Sequence, residues 1–271
     1  MSVITQTLNN SKRFAKKQAL NHLPEWALTP LRKRHYLRVL RQVSEDYAPD
    51  FVVLKRLVKP GEVVVDLGAH VGACTKFLSD LVGETGAVYS VEPFPLTFEI
   101  LQQSVDKLKL SNVQLINCAV SDASGKLMME VPTFAESGES FYDARLIPAG
   151  ATSSLRQAAV DVKTVDSLFS GRQRAISFIK CDVEGQELQT LRGAKRVIDT
   201  DRPMLMLEVS LMSQETHTEV RELLAGFDYQ EFCFEESRLR PWQANDRPVD
   251  VFFFQPEHLN KASDAGFEVN R

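Results

Sequence analysis

With 271 residues, 44% of them hydrophobic and 25% charged, the chain is composed like an ordinary globular protein, long enough for one large α/β domain with appendages. No run of about 18 apolar residues occurs, so no transmembrane helix is indicated. The cysteines Cys74, Cys118, Cys181 and Cys233 are far apart with no C-x-x-C pair, which speaks against a zinc or disulfide framework and for free thiols in a reducing compartment. The net charge of −4 is unevenly spread: residues 1–42 hold nine Lys/Arg and one acid (+8), leaving −12 for the remainder.

The basic segment, residues 1–45, is predicted as a helical extension. It reads first as a solvated lead-in helix and second as an arm for a membrane surface, an anionic glycan lipid or a nucleic acid. A nucleic-acid partner is disfavoured by the acidic body and the lack of an aromatic-basic patch. A cytoplasmic protein, with peripheral membrane contact as the alternative, is expected. Pro24 and Pro30 are expected to break any long early helix. From Lys33 to Asp46 the positions Tyr36, Val39, Leu40 and Val43 share one helical face, and Phe51–Val58 is a short helix.

From Lys59-Pro60-Gly61 onward, strands alternate with helices. Strand Val63–Asp66 precedes helix Gly72–Val82, strand Ala87–Glu92 precedes helix Leu96–Leu108, and strand Val113–Cys118 runs into Ala119-Val120-Ser121-Asp122. That rhythm predicts a parallel sheet with right-handed crossovers. Lys126–Val131 reads as an antiparallel edge or hairpin strand. Residues 132–157, with Pro132, Gly138, Pro148 and Gly150, are expected to form a lid or substrate-binding insertion. Then follow strands Ala159–Val165 and Ile176–Cys181, helix Gly185–Ile198, strand Met204–Val209 and helix Ser213–Ala225. Gln230–Phe234 and Val249–Phe254 close as an antiparallel edge hairpin. The main domain is placed at 46–258, with 259–271 as a tail.

The chemistry gathers at strand ends. The turn Gly68-x-x-x-Gly72 has His70 where a dinucleotide-binding G-x-G-x-x-G has its second glycine, and Asp66 before it would repel a diphosphate. No P-loop sequence occurs. A phosphate-free nucleoside suits this turn better. Glu92, at the end of the next strand, can accept both ribose hydroxyls. S-adenosylmethionine fits this set: ribose on Glu92, adenine against Ser121-Asp122, and the methionine end near Asp66 and the Gly68–Gly72 amides.

A second group, Lys180-Cys181-Asp182-Val183-Glu184-Gly185-x-Glu187, ends a further core strand and is expected at the ligand crevice. A hydroxyl acceptor needs a base or a metal to help remove its proton. Asp182 and Glu184 are the catalytic candidates, and Asp182 with Glu208 is a candidate ligand pair for a hard cation such as magnesium. Helix capping is the plain alternative for Glu184 and more so for Glu187, and ion pairing with a neighbouring acid for Lys180. His70 is read as a helix-start residue beside the cofactor.

Four ordered motifs carry a resemblance: Val65-Asp66-Leu67-Gly68-Ala69-His70-Val71-Gly72-x-x-Thr75, Val91-Glu92-Pro93-x-Pro95-x-x-Phe98, Asn117-x-Ala119-Val120-Ser121-Asp122, and Ile179-Lys180-x-Asp182-x-Glu184-Gly185-x-Glu187-x-x-x-Leu191-x-Gly193-Ala194. Together they resemble the FkbM-type methyltransferases over about residues 60–210, with a looser tail to 255; Asn is usual where His70 stands. The resemblance implies a Rossmann-like class I methyltransferase, an α/β fold with a mostly parallel seven-stranded sheet, helices on both faces and an antiparallel edge hairpin. It implies S-adenosylmethionine-dependent O-methylation of a sugar, glycan or secondary metabolite. Asp66, Gly68, Ala69, His70, Gly72, Thr75, Glu92, Pro93, Ser121 and Asp122 would hold the cofactor. A non-catalytic nucleoside-binding regulator and a dinucleotide oxidoreductase are the competing readings.

Overall fold

The computed structural model describes residues 25–131, 133–134, 138–139, 145–147, 155–235, 238–244, 246 and 248–269. In chain order these form α1 (Glu25–Leu40), a 3₁₀ turn (Glu45–Tyr47), α2 (Phe51–Leu57), β1 (Val63–Leu67), α3 (Ala73–Val82), β2 (Ala87–Val91), α4 (Pro95–Leu108), β3 (Val113–Ile116) and β4 (Ala119–Val120). Next come β5 (Gly125–Val131), β6 (Thr133–Phe134), β7 (Gly138–Glu139), β8 (Arg145–Ile147), β9 (Arg156–Lys163), α5 (Val165–Leu168) and β10 (Phe178–Cys181). The last elements are α6 (Glu187–Arg192), α7 (Lys195–Asp201), β11 (Met204–Glu208), α8 (Gln214–Ala225), β12 (Gln230–Glu235), β13 (Arg238–Pro241), β14 (Asp250–Phe254), α9 (Pro256–Asp264) and β15 (Glu268–Val269).

The main sheet runs β15-β13-β12-β14-β11-β10-β1-β2-β3, with β3, β2, β1, β10 and β11 mutually parallel, the pairs β11–β14, β14–β12 and β12–β13 antiparallel, and β15 parallel to β13. It has nine strands, not the expected seven. Two additions account for this. Arg238–Pro241 forms a hairpin with β12, so β13 intervenes in sequence between the paired strands β12 and β14. The residues expected to trail as a tail form α9, whose Leu259 and Ala262 are buried, and an edge strand that pairs with β13.

Strand β1 is buried throughout because both its faces are covered, which is why it reads as an unbroken apolar run ending on an acid. One face packs α2, α3 and α9 through Phe51, Leu54, Phe77, Leu78, Phe252, Phe254 and Leu259. The other packs α5 to α8 through Val165, Leu188, Leu191, Val197, Ile198, Val220 and Leu224. A separate four-stranded sheet, β4-β9-β5-β8, makes a third cluster with Phe94, Leu96 and Ile100 at the start of α4. The strands expected at 126–131 and 159–165 belong to this second sheet. Residues 132, 135–137, 140–144 and 148–154 lie outside the described residues, and so does most of the expected lid.

Two helices depart from expectation. Pro30 sits inside α1, in its second turn, and does not end it. The helix expected over 185–198 is split at Gly193, where an added Cβ would lie 2.1 Å from the Ser121 carbonyl oxygen. Only glycine lets the β4 turn approach the α6–α7 junction so closely. No helix among the described residues is long and apolar enough to cross a membrane.

Candidate active site

Strand β1 has β2 on one side and β10 on the other, so the crevice beyond their carboxyl ends is a topological switch point. Asp66 stands in register with Ser90 of β2 and Lys180 of β10, bringing the two expected clusters together. A cavity opens there, lined by Asp66, Gly68, Ala69, His70, Glu92, Pro93, Lys180, Asp182 and Glu184 among the expected segments. Tyr47, Ala48, Phe51, Cys118, Ala119, Val120, Met129 and Asp250 are among the other residues of the wall.

Gly68 makes the crossing between strands possible. It has φ +79°, and an added Cβ would lie 1.7 Å from the Asp182 carbonyl oxygen. The β1 turn and the Asp182 loop therefore touch backbone to backbone. The Asp182 amide donates to the Leu67 carbonyl at 3.1 Å and ties the same seam.

Asp66 is fully buried. Thr75 Oγ1 donates to its Oδ2 at 2.6 Å and also lies 2.9 Å from Ser90 Oγ. Its Oδ1 has no hydrogen-bond partner among the described residues. An orphaned carboxylate oxygen is costly in a protein interior, and burial accordingly raises the Asp66 pKa. A ligand ammonium would satisfy that oxygen. Thr75, expected at the cofactor, instead sits behind Asp66 and fixes its orientation.

Glu92 is buried at the end of β2. Its Oε1 accepts from the Phe94 amide at 2.9 Å and from Thr97 Oγ1 at 2.5 Å, and its Oε2 accepts from the His70 amide at 2.9 Å. Burial pushes its pKa up to about 7 despite these donors. The hydrogen bonds set the carboxylate's plane and leave accepting capacity on Oε2 toward the cavity it lines.

The turn differs from expectation in how its amides are used. Gly68 and Ala69 donate to the Val91 carbonyl at 2.9 and 3.0 Å, His70 to Glu92, and Gly72 to the Ala69 carbonyl at 2.9 Å. Four of the amides expected to receive a ligand carboxylate thus hold the turn itself. Gly72, with φ +99°, packs against Leu101 Cδ1 and does not line the cavity. Neither do Ser121 and Asp122. The Ser121 carbonyl backs onto Gly193, and the cavity wall at that strand end is Cys118, Ala119 and Val120, an apolar surface suited to a flat base.

On the adjacent strand β10, Lys180 Nζ donates to Asp182 Oδ2 at 2.6 Å. Burial alone would lower the Lys180 pKa, but the charges of Asp182 and Asp66 hold it raised. Burial would raise Asp182, yet the Lys180 charge and a hydrogen bond with Glu208 bring it below the ordinary carboxylate range. Glu208 carries the opposite shift, to about 7, through burial and its contact with Asp182. The two carboxyls form a coupled pair, with Asp182 facing the cavity and Glu208 behind it. Glu184, with φ +53°, lines the cavity, whereas Glu187 Oε1 accepts from the Val183 and Gly185 amides and so closes the loop. Oxygen atoms of Asp182, Glu184 and Glu208 lie within 4.8 Å of one another, a donor set that suits a hard cation, although the Lys180 ammonium already neutralises part of its charge.

Several site residues gave no sequence signal. Asp250 begins β14, and its carboxyl hydrogen-bonds that of Asp50 at the start of α2; burial and Asp50 push its pKa to about 7. An antiparallel strand beginning on an acid places it at the carboxyl edge of its parallel neighbours, a clue readable only once the strand order is known. Tyr47 is half-exposed at the cavity wall. Its ring lies 5.6 Å from Phe51, which stacks on Phe77 at 4.4 Å.

Comparison with known proteins follows this geometry. A family model described as the methyltransferase FkbM domain matches residues 66–231. The methyltransferase FkbM from Methylobacillus flagellatus KT has a similar fold, with a TM-score of 0.50 at 17% identity, over 85% of this chain and 61% of that one. A putative rRNA-methylase from Clostridium thermocellum aligns with a TM-score of 0.47 at 17% identity, over 74% of this chain and 90% of that one. The chain thus spans about three fifths of the Methylobacillus protein. Comparison with curated proteins gave no match.

Proposed function

The chain belongs to the FkbM family of S-adenosylmethionine-dependent methyltransferases, and on that premise we propose that it methylates a hydroxyl of a sugar, glycan or hydroxylated secondary metabolite. Bound S-adenosylmethionine would supply an electrophilic methyl group on a sulfonium. Asp66 would take its ammonium, Glu92 its ribose hydroxyls, and the Cys118–Val120 wall its base.

The observation that carries the reading is the Asp182–Glu208 pair, at the end of the strands next to Asp66. Asp182, kept ionised by Lys180, accepts a hydrogen bond from the acceptor hydroxyl and aligns its oxygen. As the methyl left the sulfonium, its carbon–sulfur pair remaining on the neutral thioether, and joined that oxygen, the pair would receive the hydroxyl proton; its second member titrates near neutrality. Tyr47 favours a sugar ring: a half-exposed aromatic face, held by Phe51 and Phe77, suits the C–H face of a pyranose, while neighbouring carboxylates accept its hydroxyls. Asp50 and Asp250, sharing a proton, carry one negative charge between them, and Asp250 adds a polar carboxyl to the wall.

The test is transfer of labelled methyl from S-adenosylmethionine to glycans and small metabolites of the native cell, with the product position assigned by mass spectrometry and NMR. Label on a hydroxyl oxygen is expected, and Asp182→Asn should strongly reduce it while cofactor still binds. Label confined to nitrogen or carbon would overturn the O-methylation reading.

A further inference from the structure

We propose that α1 is a brace for the cofactor site, and that Tyr36 is the positioning residue through which it acts. The inference rests on the cofactor reading above. Helix α1 lies wholly outside the segment that the family model matches. It packs along α4, where Lys33 Nζ pairs with Glu99 at 2.6 Å. On its inner side Tyr36 joins the cluster of Val71, Phe94, Leu96 and Ile100, which are residues of the loops after β1 and β2 and the first turns of α4. Those two loops carry Gly68 and Glu92, and the first follows directly on the strand end that bears Asp66.

The critical contact is with His70. The Tyr36 and His70 rings meet edge to face, their centroids 6.2 Å apart and their planes at 89°. His70 holds φ +49°, a left-handed conformation that disfavours an L side chain and persists only when the surroundings enforce it. Because residue 70 is held that way, its amide points at Glu92 Oε2, 2.9 Å distant. The same aromatic cluster holds Phe94, whose amide donates to the other Glu92 oxygen. Tyr36 therefore stands behind two of the three donors that orient the proposed ribose-binding carboxylate. Burial drops the His70 pKa to about 4, so the imidazole against Tyr36 is neutral at physiological pH and the contact is one of shape and ring polarity, independent of charge.

The experiment is calorimetric titration of S-adenosylmethionine into the full-length protein and its variants, with melting temperatures recorded in parallel. Tyr36→Leu, which keeps an apolar side chain in the cluster, is expected to raise the dissociation constant about tenfold, and Tyr36→Phe to restore it, because the contact uses the ring edge. Tyr36→Leu and His70→Ala are expected to be non-additive in a double-mutant cycle, since each removes the same brace. Unchanged affinity in Tyr36→Leu, additive effects, or a loss not rescued by Phe would overturn the brace. If the wild type itself bound no S-adenosylmethionine, the cofactor reading would fall first and the brace with it.

Discussion

Glu92 and the Asp182–Glu208 pair both titrate near neutrality, and different measurements separate them. Glu92 is raised to about 7 by burial, against 4.5 in an unfolded chain. Ribose hydroxyls donating to the carboxylate favour its ionised form, so cofactor binding near pH 6.5 is expected to release protons. Calorimetry in buffers of differing ionisation enthalpy reads this release directly, and proton uptake would contradict it. The same shift has a consequence for the free protein. A carboxyl whose folded pKa is raised contributes stability below the unfolded value, and that stability is lost as pH rises from 4.5 through about 7. For the pair the relevant quantity is kcat at saturating cofactor. Glu208 ionises at about 7, which frees the pair to take the hydroxyl proton, so kcat should rise with pH through that value. Asp182→Asn should lower kcat by about 10²–10⁴-fold while leaving the cofactor dissociation constant near that of the wild type. Chelation is expected to leave turnover unchanged, because Lys180 supplies countercharge to Asp182 at 2.6 Å. A loss restored by magnesium would instead make the three carboxylates a metal site.

The seam between β1 and β10 is held by the approach of Gly68 to the Asp182 carbonyl. Gly68→Ala puts a methyl into that oxygen and forces φ +79° on an L side chain, so a destabilisation of at least about 3 kcal/mol is expected in chemical denaturation. Stability equal to wild type would mean that the two turns do not touch as described. The βα alternation from Val63 to Glu208 was legible because buried parallel strands read as short apolar runs ending on acids. Asp66, Glu92 and Asp182 stood out for the same reason, an ionisable group being expensive at the end of an apolar strand. Other features depend on partners distant in sequence. Glu130 is buried on β5 but ion-paired to Arg145 of β8, so the second sheet does not alternate cleanly. The helix expected over 185–198 broke because Gly193 answers to Ser121, more than 70 positions earlier. Thr75, Gly72, Ser121 and Asp122 were placed at the ligand by motif spacing and strand-end position, whereas the cavity is lined by their neighbours in sequence. Tyr36, Tyr47 and Asp250 belong to segments whose role appears only when the chain closes on itself.

Across the whole molecule, segments on both sides of the matched core reach the cavity: Tyr47 and Phe51 before it, Asp250 after it. Cofactor binding should therefore stabilise the chain as one unit. At a concentration 100 times the dissociation constant, the linkage contribution is about 2.7 kcal/mol, which corresponds to a melting shift of roughly 5–10 °C for a protein of this size. A shift confined to one of two separable transitions would show that the flanking segments are independent of the site. The central claim is that the buried carboxylates at the ends of β1 and β2 hold an S-adenosyl nucleoside. It is tested most directly by titrating S-adenosylmethionine into wild type and Glu92→Gln in a calorimeter. Saturable one-to-one binding is expected in the wild type, weakened about 10- to 100-fold in the variant through loss of charge-assisted hydrogen bonds. Equal affinity in the two proteins, or no binding in the wild type, would contradict it.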